Sequence, residues 1–88
     1  MATANIEVTK DWTQLASAGD GNVLATFRKM GTLEVALTSA DTEPTVTKGH
    51  LLRTGDVLTR LTFGDGYIWA RCLPSGNVDS IDVEVTKS

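Results

Sequence analysis

The chain has 88 residues, room for one core and a single domain spanning 1–88, and a domain this small buries little more than about 60% of the surface its unfolded form exposes. Its composition, 41% hydrophobic and 22% charged with eight Gly and two Pro, excludes the disordered, collagen-like and low-complexity classes. Eleven Asp and Glu against eight Lys and Arg give a net charge of −3, and only Arg28 and Lys29 are adjacent among the basic residues, so no nucleic-acid partner is expected.

No uncharged run approaches the roughly 20 apolar residues of a membrane-spanning helix, so no membrane partner is expected either. Residues 1–11 lack a basic stretch followed by an apolar one, the pattern of a secretory leader. The single cysteine, Cys72, rules out a disulfide within this chain, and with the single His50 it cannot complete a four-ligand zinc site. A domain barely above the roughly 70–80 residues below which staples, metals or partners are usually needed points to self-association or docking on a larger surface.

Thirteen Thr and eight Val enrich the chain in β-branched residues and predict an all-β fold. Ile6 and Val8 alternate with Glu7 and Thr9 as a first strand, preceded by residues 1–5 as an extended N-terminal arm able to add its backbone to a neighbour's sheet edge. Trp12, leading to Leu15, reads as a core anchor. Residues 23–28 form a strand, and Lys29, Met30 and Gly31 suit a short hairpin into the next one, where Leu33, Val35 and Leu37 alternate with Thr32, Glu34, Ala36 and Thr38. Residues 39–49, polar and containing Pro44, predict a surface loop without a helix.

Further on, His50 opens the segment 50–53, and Thr54, Gly55 and Asp56 mark a turn. A strand over 57–63, the hairpin signal Gly64-Asp65-Gly66 and a strand over 67–73 follow, then a turn over 74–77. Ile81, Val83 and Val85 alternate with Asp82, Glu84 and Thr86, one dry face and one wet. About seven short strands with a turn signal every ten residues or so predict a small antiparallel β-sandwich or barrel.

A catalytic set does not assemble. Cys72 and His50 are the one nucleophile and base pair, but Cys72 shares strand parity with Ile68 and Ala70 and reads as a buried, inert thiol, while His50 suits a hydrogen bond to a turn. Asp41 with Glu43, or Asp79 with Asp82 and Glu84, lack the dense oxygen-ligand spacing of a calcium loop. No glycine pattern opens a helix as a phosphate cradle. The chain therefore reads as no enzyme, with no metal and no cofactor. One pattern stands out: Tyr67, Trp69 and Arg71 alternate along a strand, on the face opposite Ile68, Ala70 and Cys72. These residue types are the ones most enriched at interface hot spots, so the three are the candidate protein interface. The competing reading puts Tyr67 and Trp69 in the core with the Arg71 stem at its rim.

The order Asp11-Trp12-Thr13-Gln14-Leu15, a strand ending near Arg28, residues 31–37, the loop with Pro44, Gly49-His50-Leu51-Leu52 and Tyr67-Ile68-Trp69-Ala70-Arg71 resembles small virion-associated β proteins of tailed bacteriophages. The resemblance lies in core and turn positions and carries no catalytic residue. It implies a structural protein located in the virion: a capsid decoration, or cement, protein that binds the major capsid protein or another virion protein, and that forms homo-oligomers. A tail or fibre component is one alternative. A receptor- or carbohydrate-binding module, with Trp69 ringed by Asp79 or Asn77, is the other.

Overall fold

The computed structural model describes residues 2–59, 66–73 and 78–87. Among the described residues there are eight antiparallel strands: β1 (Ala2–Val8), β2 (Thr13–Ala16), β3 (Val23–Phe27), β4 (Thr32–Thr38), β5 (His50–Arg53), β6 (Leu58–Thr59), β7 (Tyr67–Cys72) and β8 (Ile81–Lys87). They form two four-stranded sheets, ordered β1-β8-β3-β6 and β2-β7-β4-β5. The fold is all-β and sandwich-like, as the alternation along the chain predicts.

Each strand with clean alternation turns its apolar set inward. From the first sheet come Val8, Val23, Ala25, Phe27, Leu58, Ile81, Val83 and Val85; from the second, Leu15, Leu33, Val35, Ile68, Ala70 and Cys72. In β8 the wet face expected of Asp82 and Glu84 is observed, and Glu84 pairs with Arg28 at 3.1 Å. Short polar bonds close the turns. In the segment following β5, Asp56 accepts from the Arg53 N–H at 2.8 Å and returns its own N–H to the Arg53 carbonyl at 2.9 Å. Gly55, between them at φ +96°, takes a backbone conformation that a side chain would strain.

Two local expectations are corrected. Lys29, Met30 and Gly31 do not close a hairpin: β3 lies in the first sheet between β8 and β6, and β4 lies in the second between β7 and β5. The chain crosses the core there because β3 and β4 both carry buried faces, which are satisfied by facing one another across the sandwich. The hairpin expected at Gly64-Asp65-Gly66 lies outside the described residues, apart from Gly66. The turn over 74–77 lies outside the described residues, as do 60–63 of the strand expected over 57–63. Finally, residues 2–5 are no free arm, since they continue β1 and pair with residues 84–87 of the same chain. Apolar alternation extends through Ile6 and Val8, and residues 2–5 before them simply prolong the ladder.

Candidate functional site

The outer face of the second sheet is built on β7 and β4. Antiparallel register places Glu34 opposite Arg71, Ala36 opposite Trp69 and Thr38 opposite Tyr67, while Gln14 of β2 lies opposite Trp69 on the other side. Along β7 burial alternates: Ile68, Ala70 and Cys72 are at most 1% exposed, and Tyr67, Trp69 and Arg71 are partly exposed. Parity thus puts all three candidate residues on one face, outside the core, and the reading that buried Tyr67 and Trp69 inside it is set aside.

Trp12 departs from expectation. It does not join the core cluster; its ring lies under the Arg71 guanidinium, with Cζ 4.4 Å from the ring centroid. Such stacking is favourable because the cation faces the negative side of the ring system. The reason Trp12 stays out is local: it precedes β2, whose inward positions Leu15 and Ala16 already fill that end of the core.

Glu34 is the residue that sequence reasoning missed. Alternation with Leu33 and Val35 assigns it to a wet face, yet it is 5% exposed and is the one buried charged residue among those described. The 39–49 segment explains this. It leaves β4, reaches Gln14, whose amide donates to Asp41 at 2.7 Å, and returns past Arg71, which donates to the Thr47 carbonyl at 2.8 Å. The returning chain closes over Glu34. Arg71 Nε donates to Glu34 Oε1 at 2.5 Å, and the Gly49 N–H donates to the same carboxylate. Burial, the largest influence, pushes the Glu34 pKa up, but the Gly49 N–H, Arg71 and Lys48 together outweigh it and hold the group below the usual carboxylate value. Gly49 itself is required by close approach: a Cβ there would sit 2.5 Å from the Val35 carbonyl oxygen.

Trp69 is fixed in the same way, its indole N–H donating to Thr38 Oγ1 at 2.9 Å. The polar ends of Trp69 and Arg71 are therefore engaged within the chain, and what the face offers a partner is ring surface held in place. Asp79 does not belong to it; it lines a separate hollow with Glu7, Thr9 and Asp11, and Asn77 lies outside the described residues. Cys72 points into the core, where burial raises its thiol pKa. His50 begins edge strand β5 opposite Val35. Asp41 is engaged by Gln14.

The chain matches no family model, no curated protein and no solved structure.

Proposed function

We propose that the chain is a non-enzymatic structural protein of a phage virion, a decoration protein that attaches to the assembled head through the face bearing Tyr67, Trp69 and Arg71. The observation that carries this reading is the construction of that face. Trp12 stacks with Arg71, Trp69 shares their face two residues along β7, all three are partly exposed, and Glu34, Thr38 and Thr47 hold the polar ends of Arg71 and Trp69. Aromatic area fixed before contact loses little side-chain freedom on binding, which is what an adhesive surface requires. The resemblance of the sequence to small phage virion proteins supplies the setting.

The mechanism is mechanical. Each copy bridges neighbouring capsid subunits, so that outward pressure on the shell must also separate the aromatic contacts. Occupancy in turn stabilises the small domain by mass action, since only the folded form binds. The test is addition of the purified protein to undecorated shells, with bound copies counted by sedimentation and quantitative gel. Saturation that matches the many symmetry-related positions of the shell supports decoration. A copy number matching a single vertex or tail ring moves the protein to the tail. Binding to cell-surface glycans without binding to shells refutes the decoration role.

A further inference from the structure

The edge of the second sheet carries a different surface, separate from the aromatic face. β4 spans seven residues, but β5 pairs only with Thr32, Leu33, Glu34 and Val35, which leaves the far end of β4 without a strand partner on that side among the described residues. The direction of the backbone groups there follows from the ladder. The Arg53 N–H and C=O both bond to Asp56, so they face away from β4, and the Thr32–Arg53 pair is not hydrogen-bonded. In an antiparallel pair such positions alternate, so Leu33 and Val35 bond toward β5 and Thr32, Glu34 and Ala36 bond toward β7. The Thr32 carbonyl indeed accepts from Leu73 N–H at 3.1 Å on the β7 side. Leu37 continues the alternation. Its N–H and C=O point into the space in line with β5 where β5 is absent, and no described residue bonds them.

That space is a groove. Four large apolar residues at its walls are strongly exposed: Leu37 43%, Val46 50%, Leu51 53% and Val57 51%. Only two other large apolar side chains among the described residues are comparably exposed. Contiguous exposed apolar walls of this kind mark interaction sites, and an unpaired strand end is a template for another strand. The groove's charge is one-sided: Lys48 is its charged lining residue and no carboxylate lines it. A second copy docked through the same edge would bring Lys48 against its own kind, which disfavours it.

We infer that this groove binds an extended, acidic segment of a partner protein, which pairs antiparallel with the β4 edge at Leu37, lays alternate apolar side chains between Val46 and Leu51, and sets a carboxylate against Lys48. Backbone pairing supplies affinity and the apolar and basic walls supply selectivity, the division of labour in strand addition.

The probe is a fluorescein-labelled peptide of alternating Val and Thr with Asp at both ends, titrated into the intact protein by anisotropy, with amide exchange read by NMR. The expected result is saturable binding that slows exchange of the Leu37 amide at least about tenfold, weakened about tenfold or more by Val46→Glu or by a probe ended with Lys. Lys48→Gln should abolish the preference for Asp over Lys ends while leaving the Leu37 protection in place. Three results with the peptide overturn the inference: no binding at millimolar peptide, equal binding by a probe N-methylated at alternate residues, or protection confined to other amides. Protection of Leu37 that rises with protein concentration without peptide also overturns it, in favour of a second copy.

Discussion

Removing Arg71 exposes how the outer face is built. Arg71→Ala deletes the ion pair to a carboxylate whose side chain is 7% exposed, the bond to the Thr47 carbonyl and the stack on Trp12. Breaking one side of a fully buried pair costs about 3–5 kcal/mol, because the remaining charge is stranded. Arg71 itself is 24% exposed, so water enters once it is gone, and the Gly49 N–H still serves Glu34. The cost should fall below that range, about 2–3 kcal/mol. At about 4–8 °C per kcal/mol for a domain of this length, the melting midpoint should drop by roughly 10–20 °C. Thermal melting followed by circular dichroism at neutral pH reads this directly. The double variant Glu34→Gln with Arg71→Met, which leaves no stranded charge, should recover much of the loss. An Arg71→Ala protein that melts within about 2 °C of the parent would refute the claim that Arg71 is what makes a buried Glu34 tolerable.

The same carboxylate sets a pH dependence. The folded pKa of Glu34 lies below its unfolded value, so its contribution is complete above the ordinary Glu range near about 4.3 and is lost as pH falls through the folded value. Urea midpoints should therefore hold from neutral pH down to about 5 and fall below about 4, with a smaller fall in the Glu34→Gln and Arg71→Met double variant. Trp69→Ala removes a half-buried ring and the bond to Thr38, which should cost about 1–2 kcal/mol of folding by urea titration and more, about 2 kcal/mol or above, of shell attachment. A largely unfolded Trp69→Ala protein would make that ring a folding element first. Gly49→Ala forces a Cβ against the Val35 carbonyl and displaces the N–H that serves Glu34, so a loss of roughly 2 kcal/mol is expected, and an unchanged urea midpoint would contradict the close approach.

Parity was legible in the sequence wherever it was clean. Ile81, Val83 and Val85 in β8 and Ile68, Ala70 and Cys72 in β7 point inward as their alternation dictates, and the same rule puts Tyr67, Trp69 and Arg71 outside. Partners were not legible, because alternation states which face of a strand is dry and not which sheet the strand joins. Lys29-Met30-Gly31 has the length and glycine of a hairpin, and the same residues serve equally well to carry the chain across the core. Glu34 illustrates a second limit. Its neighbours in β4 give it a wet position, and only the return of residues 47–49, brought back by Thr47 and Gly49, dries it. Burial created by a distant loop leaves no mark in a local pattern. Trp12 fails for the opposite reason: size and apolarity suggested an anchor, whereas the guanidinium of Arg71 gave its ring a favourable seat on the surface.

The route of the chain between the two sheets has a kinetic consequence. Of the seven steps between the described strands, only β4 to β5 stays within a sheet; every other one changes sheet, and the first strand is zipped to the eighth. A growing or collapsing chain thus has almost no neighbouring strands that can pair early, and nearly every ladder must wait until distant segments have met. Domains with such non-local wiring fold in about milliseconds to seconds, slower than helical domains of equal stability. Until the last ladders close, the edges of β3 and β7, each flanked on both sides in the finished sandwich, are bare. It is in that interval, rather than in the folded state, that this sequence is most exposed to pairing with the wrong chain.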